Sequence, residues 1–449
     1  MKVVIIGGQA SGMTFAMQLQ RNNSNVEIYL IEASSYISFG ACGLPYYIGD
    51  FFKNENYLFA KQVSDITNSN IKIYTKHQAL NVNHLTKQVS LKNLENNEIF
   101  NLDFDKLLIA TGSIPNIPSF VNSTNNQKIY TLKSLTDAKK IKEAIPLAKS
   151  IGIIGAGYIG LELLESLENK NINITLLDSK DLLTDGLLDK DFEEILLNEI
   201  NKKNNIQLHL KTNISNIIEN KNNVIVKAHN KEYIFDFIIL ATGFKPNIDF
   251  LSNIPFSKLP NGALIIDNNG QTNIPNIYAS GDCASIYHKV LQKNSYIPLA
   301  TIANKMARKI ADSINNISNS FNGTLGSSCL KMLNLEIAKT GICEFEAIQN
   351  DISYTSIFVE DYNHTNYYPN QEKIYVKLLF NQHKEIIGAQ IAGKNGAMLR
   401  INSLSVAIEK KLTIDELSML DFAYAPPFSR TWDILNTVGN LAIKKANKN

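Results

Sequence analysis

Cysteine, arginine and long apolar runs are all scarce in this chain of 449 residues. Its four cysteines, Cys42, Cys283, Cys329 and Cys343, are too few and too scattered for a disulfide framework or a zinc site. No second cysteine follows Cys42 at the Cys-x4-Cys spacing of a redox pair, so its sulfur has no adjacent disulfide partner in sequence. Only four arginines occur (Arg21, Arg308, Arg400 and Arg430), and the formal net charge is +2. That leaves no polyanion footprint, and no nucleic-acid partner is expected. The histidines lack metal-ligand spacing, so no metal is expected either. The apolar run near the N-terminus, Val3 to Ile6, turns into glycines at once, and no other run is long enough for a membrane span. Neither a leader nor a membrane partner is expected. The expected compartment is the cytoplasm, whose reducing conditions suit a working thiol.

What is present points to a multidomain globular protein. The length exceeds what one core can organise, and 44% apolar with 19% charged residues is ordinary for a folded chain. Val3 to Ile6 reads as a buried parallel strand, followed by Gly7-Gly8-Gln9-Ala10-Ser11-Gly12 and a helical pattern through Met13, Ala16, Met17 and Leu19. A second strand, Val26 to Ile31, ends at Glu32. This is a dinucleotide fingerprint: a tight turn, N–H groups at a helix start for the pyrophosphate, and an acid for a ribose hydroxyl. Its middle glycine is replaced by Gln9. A complete copy follows, from strand Ile151 to Ile154 through Gly155-Ala156-Gly157-Tyr158-Ile159-Gly160, with a helix containing Glu162 and a strand from Ile174 to Leu177 that ends in Asp178. Two fingerprints imply two dinucleotides. An acid at Asp178 favours NADH over NADPH by repelling a 2′-phosphate, and Lys180 weakens that preference.

Leu107 to Gly112 and Ile238 to Gly243 are near duplicates, each a buried strand ending in Ala-Thr-Gly, and each would return the chain past a nucleotide. Asn276 to Cys283 is a third strand-to-turn, with Asp282 where a helix should begin; it is expected to cap that helix and to meet a sugar-like hydroxyl chain. From Pro298 a helical stretch carries Asn304, Lys305 and Arg308. After Gly323 the pattern changes to strands of polar alternation (Ile352 to Val359, Lys373 to Phe380), an amphipathic helix from about Ala397 to Lys410, and the loop Tyr424-Ala425-Pro426-Pro427-Phe428-Ser429. The Asn-rich stretches Asn122 to Asn126 and Asn315 to Asn322 read as surface connections. Cys42 lies in Ser38-Phe39-Gly40-Ala41-Cys42-Gly43-Leu44-Pro45-Tyr46-Tyr47-Ile48, at the head of a short apolar segment. The residues alone leave two readings: a small packed side chain, or a thiolate stabilised by a helix N-terminus. The other three cysteines read as structural.

Taken together, the two fingerprints, both Ala-Thr-Gly turns, the Ser280-Gly281-Asp282-Cys283 turn and the Leu325-Gly326-Ser327 entry resemble the flavin-dependent pyridine nucleotide–disulfide oxidoreductases, in the branch with one active-site cysteine. That branch includes coenzyme A-disulfide reductases, NADH oxidases, NADH peroxidases, and persulfide or polysulfide reductases. The resemblance implies an α/β fold with two Rossmann-like three-layer domains and an α+β dimerisation domain, in a homodimer. It implies an FAD-binding domain over 1–112 and 240–322, an NAD(P)H-binding domain over 113–239 and a dimerisation domain over 323–449. FAD would lie on Gly7, Gly12, Glu32, Thr111, Gly112 and Asp282, and the nicotinamide nucleotide on Gly155, Gly157, Gly160 and Asp178. Cys42 would be the redox sulfur.

The Cys42 stretch and the Tyr424 loop are similar to the coenzyme A-disulfide reductases, in which tyrosines from the partner subunit reach the cysteine. By position these would be Tyr424 with Tyr367 or Tyr368. Gln18, Arg21, Ser38, Lys61 and Asn304 would face the substrate, and coenzyme A would be held as a mixed disulfide on Cys42. The sequence departs from the pattern at Ala41, where asparagine is usual, and at Asn70 and Trp432, where basic residues are. Ala10 replaces the histidine usual in oxidases and peroxidases. The expected reaction passes electrons from NAD(P)H through FAD to Cys42, which reduces a small disulfide, coenzyme A disulfide first. Oxygen or peroxide reduction through a sulfenate, and persulfide or polysulfide reduction, are the alternatives.

Overall fold

The apolar run that opens each glycine loop becomes a central strand, because such a run is stable only where both faces are covered. The computed structural model describes residues 1–67, 70–121, 127–186, 188–229 and 231–448; the stretch Asn122 to Asn126 lies outside the described residues. Lys2–Ile6 pairs in parallel with Glu27–Ile31 on one side and Lys106–Ile109 on the other. Ile277–Ala279 and Ile71–Tyr74 complete this five-stranded parallel sheet at its edges. Helix Ala10–Asn22 leaves the first strand through the glycine loop and packs along helix Ala300–Ile314. Its Met13, Phe15, Ala16 and Leu19 join Ile5, Ile28 and Leu108 in one apolar core. An antiparallel sheet of His77–Asn83, Gln88–Asn93 and Ile99–Asp103 adds Val82, Val89 and Leu91 to that core as a further layer. These elements form a first compact unit, Met1–Leu44, Phe52–Asn116 and Phe244–Thr324.

The second unit comprises Pro45–Phe51, Ile117–Gly243 and Leu325–Asn449. It repeats the layered pattern: Ser150–Ile154 pairs in parallel with Asn173–Leu177 and Phe237–Leu240, and Ile206–His209 and Ile129–Thr131 form the edges. The antiparallel strands Ile214–Glu219, Val224–Ala228 and Lys231–Phe235 contribute Val224 and Val226 to the core beside Ile238 and Leu240. Helix Leu135–Ala144 starts where the sequence Ser134-x-x-Asp137 makes a reciprocal capping box, which satisfies two N–H groups that the first turn leaves unpaired. The two Rossmann-like layers are followed by an antiparallel sheet in the order Ser328–Met332, Leu335–Gly341, Ile386–Gly393, Lys373–Phe380, Thr355–Tyr362. Helices Ala397–Glu409 and Ile434–Ala446 pack on it. Among the described residues, no helix is long and apolar enough to cross a membrane.

Two expectations about this last sheet need correction. The strand expected over Ile352 to Val359 runs instead from Thr355 to Tyr362. Lys373–Phe380 does not alternate between a wet and a dry face, since Ile374, Val376, Lys377, Leu378, Leu379 and Phe380 are all buried. The misleading letter is Lys377, a charge held inside. It lies among carboxylates of Asp191, Glu344 (2.9 Å) and Asp189 (3.3 Å), which also meets Gln390 Nε2 at 2.9 Å. Replacing Lys377 by Met would leave these carboxylates without their cation, a loss of about 3–5 kcal/mol for a broken buried pair. The expected readout is a melting temperature roughly 5–10 °C lower. A melting curve that overlays the wild type would mean that the acids relax into water and that Lys377 does not secure this sheet.

Candidate active site

The first glycine loop is built around contacts that only glycine allows. Gly7 has φ of 108°, and a Cβ there would sit 2.2 Å from Ala110 O; a Cβ on Gly12 would sit 1.8 Å from Gly7 O. The Glu32 carboxylate braces the loop from the end of the second strand, accepting from Gly8 N at 2.7 Å and Ser34 N at 2.8 Å. A carboxylate has about four acceptor positions, so two such bonds leave capacity for a ribose hydroxyl. Gln9, which interrupts the fingerprint, has a positive role. Its Oε1 accepts from Phe39 N at 2.8 Å and its Nε2 donates to Tyr36 O at 3.2 Å. The side chain thus ties the glycine loop to the segment that leads into Cys42. Sequence reasoning missed this; the available signal was a long amide at a position where glycine normally leaves space.

That segment is otherwise held by its backbone. Ser38, at a left-handed φ of 52°, donates to Gly8 O at 3.0 Å, and its carbonyl accepts from Ala60 N at 3.0 Å. Gly40 N donates to Leu58 O at 2.7 Å, and the rings of Tyr36, Phe39 and Phe59 pack together at 4.9–5.5 Å between centroids. The Ser38 backbone is thereby brought beside Ala60, the residue before Lys61, which is exposed. Cys42 is an exposed thiol on the 3-10 turn Ala41–Gly43, and helix Leu44–Ile48 begins immediately after that turn.

Elsewhere in the first unit, Thr111 Oγ1 donates to Asn247 O at 2.7 Å, and Gly112 has φ of 67° with nothing within 4 Å of a Cβ placed on it. Asp282 does not cap a helix, because the chain continues from it into a turn; its carboxylate instead accepts from Ser113 Oγ at 2.9 Å. Cys283 is fully buried and donates to Ile109 O, and burial pushes its pKa up to about 11, so it is an inert thiol. Thr14 Oγ1 donates to Asn304 Oδ1 at 2.9 Å. Farther along the same helix pair, Gln18 Nε2 is engaged by Asp312 Oδ1 at 2.9 Å, and Arg21 Nε donates to Met17 O of its own helix. Asn304 and Gln18 therefore line one helix seam, where the Gln18 amide serves helix packing, while Arg21 is exposed on its own helix.

In the second unit the loop repeats. Gly155 has φ of 110°, a Cβ on it would lie 2.4 Å from Ala241 O, and a Cβ on Gly160 would lie 2.0 Å from Gly155 O. Asp178 accepts from Ala156 N at 2.6 Å and from Lys180 N at 2.8 Å, as Glu32 does in the first loop. At Gly157, where the first loop has Gln9, a Cβ would meet nothing within 4 Å. The segment after Cys42 docks in this unit: Lys142 Nζ donates to Tyr47 O at 2.9 Å, lies 4.0 Å from the Tyr47 ring centroid and pairs with Asp50 at 2.7 Å. Lys170 pairs with the second Asp50 oxygen, and the two lysines hold the Asp50 carboxyl below its usual pKa. The structure also brings Tyr367 and Tyr424 together, hydroxyl to hydroxyl at 2.8 Å, while the Tyr368 ring packs edge-on against His364. Both hydroxyl-bearing rings are exposed, and the hydrogen bond to Tyr367 raises the Tyr424 pKa. Cys343 is buried, with its pKa pushed up to about 12 by burial, whereas Cys329 is exposed.

Two duplicated loops with braced acids, and an exposed thiol anchored to the first of them, match a known family. The pyridine nucleotide-disulphide oxidoreductases match residues 1–307, and the dimerisation domain of the same family matches residues 328–434. The chain belongs to this family. It is therefore a flavin-dependent oxidoreductase, and members use FAD and NAD(P)H. Coenzyme A disulfide reductase of Staphylococcus aureus (strain COL) is 32% identical over 445 residues, covering 98% of this chain and 99% of that protein. NADH oxidase of Enterococcus faecalis is 29% identical over 447 residues, covering 99% and 100%. The structure of an NAD-dependent persulfide reductase from A. fulgidus superposes with a TM-score of 0.95 at 31% identity, covering 100% of this chain and 84% of that one.

The residues present fit FAD in the first unit. Ser11 Oγ, in the glycine loop, is buried with no hydrogen-bond partner among the described residues, and Gly112 leaves its surroundings open. In the second unit, the open space at Gly157 lets a pyrophosphate approach the helix start. Beside that loop, burial and Glu165 raise the Glu162 pKa from 4.5 to about 7. The folded chain thus keeps a proton there that the unfolded chain releases near 4.3, so this group's stabilisation is complete below that value and is lost as pH rises toward about 7. Glu162→Gln, neutral at every pH, should melt higher than wild type at pH 8 and equally at pH 4. An unchanged difference between the two proteins across that range would show that Glu162 ionises like an exposed glutamate.

Proposed function

We propose that this oxidoreductase uses NADH to reduce a low-molecular-weight disulfide, coenzyme A disulfide first, with Cys42 as its redox sulfur. The observation that carries the reading is the presentation of Cys42: an exposed thiol on a turn that Gln9 anchors to the first glycine loop. The 32% identical coenzyme A disulfide reductase supports the choice of substrate. FAD, held by Gly7, Ser11, Gly12, Glu32, Gly112 and Asp282, would supply two-electron transfer between the nicotinamide and the sulfur. Gly155, Gly157, Gly160 and Asp178 would hold the nicotinamide nucleotide, and the Asp178 carboxylate favours NADH by repelling a 2′-phosphate.

The chain's own residues account for the thiol chemistry. The Cys42 thiolate attacks one sulfur of the disulfide, forming a mixed disulfide and expelling one thiolate. That leaving group takes a proton from Tyr424, whose hydroxyl is held against Tyr367. Two electrons, originating in NADH, and one further proton then cleave the mixed disulfide, releasing the second thiol and restoring the Cys42 thiolate. We assign the protein to a homodimer of the family type, in which Tyr367 and Tyr424 act on Cys42 of the partner subunit. Ser38 and Lys61 would be the substrate contacts for a phosphate-bearing thiol, a reading supported by the backbone bond from Ala60 N to Ser38 O, which holds the chain next to Lys61 beside Ser38. A cytoplasmic location agrees with a thiol that must stay reduced. The alternative, oxygen or peroxide reduction through a Cys42 sulfenate, is favoured by the 29% identical NADH oxidase, which spans the same length.

The test is anaerobic NADH oxidation by the holoenzyme with coenzyme A disulfide, cystine and glutathione disulfide in parallel, and with oxygen and peroxide separately. Turnover confined to coenzyme A disulfide is expected. Cys42→Ser should remove disulfide turnover while the flavin absorbance of the purified protein stays. Disulfide turnover that survives Cys42→Ser refutes the mechanism, and activity confined to oxygen or peroxide moves the enzyme to the oxidase reading.

A further inference from the structure

Tyr367 and Tyr424 lie on two irregular segments that no sheet or helix holds in register. One connects strand Thr355–Tyr362 to strand Lys373–Phe380, and the other precedes helix Ile434–Ala446. Both rings are exposed, yet their hydroxyls meet at 2.8 Å. Something beneath them must fix the two segments to each other. That element is Arg400, on helix Ala397–Glu409, whose side chain is only 13% exposed. Its Nη2 donates to Asn363 O, at the base of the Tyr367 segment, and to Phe428 O, at the base of the Tyr424 segment, both at 3.1 Å. Its Nη1 donates to Gly396 O at 3.0 Å, and its Nε donates to Asp433 Oδ2 at 2.9 Å.

Asp433 orients this guanidinium. Its carboxylate also accepts from Ser429 Oγ at 2.8 Å and caps the final helix through Leu435 N at 3.0 Å. Two smaller bonds support the same join. Thr365 Oγ1 donates to Pro426 O at 3.2 Å, directly between the two segments. Within the first segment, the His364 ring lies between Thr365 O and Asn370 O, at 3.0 and 3.2 Å. All of these groups lie in the second unit.

We propose that Arg400 is a positioning residue for thiol protonation: by joining Asn363 O to Phe428 O it holds the Tyr367 and Tyr424 hydroxyls in contact. The inference rests on the reading of Tyr424 as proton donor. Only a planar fork with several fixed donors reaches both carbonyls and the carboxylate at once; a lysine keeps the charge but presents a single nitrogen. Arg400→Lys therefore preserves the ion pair with Asp433 and loses the join.

The test uses the holoenzyme of Arg400→Lys, with Tyr424→Phe measured in parallel. The expected result is a fall in kcat for the disulfide on the order of tenfold to a hundredfold, the scale of a misplaced catalytic group. KM for the disulfide and the rate of NADH-dependent ferricyanide reduction, which needs no thiol protonated, should stay within about twofold. Amide exchange should rise together at residues 363–371 and 424–429 and stay unchanged in strand Ile386–Gly393. Should Arg400→Lys fail to fold, Thr365→Val carries the same test with a smaller fall in the same pattern. A slow Tyr424→Phe beside an Arg400→Lys of wild-type rate overturns the inference alone. A loss shared equally with ferricyanide reduction overturns it as well, since that marks general damage. Tyr424→Phe at the wild-type rate overturns the proton-donor reading and the positioning role with it.

Discussion

Both glycine loops rest on one contact, backbone against backbone at the point where a strand turns into a helix. A Cβ on Gly12 would lie 1.8 Å from Gly7 O, and one on Gly160 would lie 2.0 Å from Gly155 O, so neither position tolerates any other residue without moving the helix. The contact starts each helix at the carboxyl end of its strand, where unpaired N–H groups and the helix dipole favour an anion. The acids Glu32 and Asp178 then close the loops from the neighbouring strand with nearly equal geometry. Among the positions where the loops differ, the one held by Gln9 in the first and Gly157 in the second sets them apart most clearly. Gly157 leaves room, whereas Gln9 fills it and anchors the path to Cys42.

The chain before Cys42 and the chain after it are held in two physically distinct ways. Upstream, the chain is held by hydrogen bonds between backbone groups and one amide, at Ser38, Phe39 and Gly40, with an aromatic cluster behind them. Downstream, Asp50 is held by two lysines that are each about one-quarter exposed. Pairs of that kind contribute about 0–1 kcal/mol each and are screened by salt.

The strands, the loop helices and both fingerprints were legible in the sequence because they are local: continuous apolar runs, glycine spacing and an acid at a strand end. In the two parallel sheets strand bounds moved by a single residue, from Val26 to Glu27 and from Ile174 to Asn173, whereas the strand expected over Ile352 to Val359 moved by three at each end. Other features depend on partners far away in sequence and left no local trace. Gln9 meets Phe39, Lys377 meets Asp191, and Arg400 meets both Asn363 and Phe428. Lys377 misled directly, since a lysine in a strand normally marks the wet face. Asp282 misled for the opposite reason: a strand followed by an acid suits a helix cap, but the carboxylate is used by Ser113. The resemblance pointed to Tyr424 and to Tyr367 or Tyr368 without choosing between the last two, and no spacing rule would have found that the Tyr367 and Tyr424 hydroxyls meet.

The assignment of Pro45–Phe51 to the second unit has a consequence for how such chains recombine. The second unit is not a contiguous piece of gene; besides Ile117–Gly243 and Leu325–Asn449 it includes a short peptide from just past Cys42. An exchange of residues 117–243 between relatives would carry Lys142 and Lys170 but leave Asp50 and Tyr47 behind. Chimeras therefore keep these contacts only where donor and recipient agree on that peptide. Cys42, three residues upstream of that peptide, ends the opening segment of the first unit and would stay with the recipient.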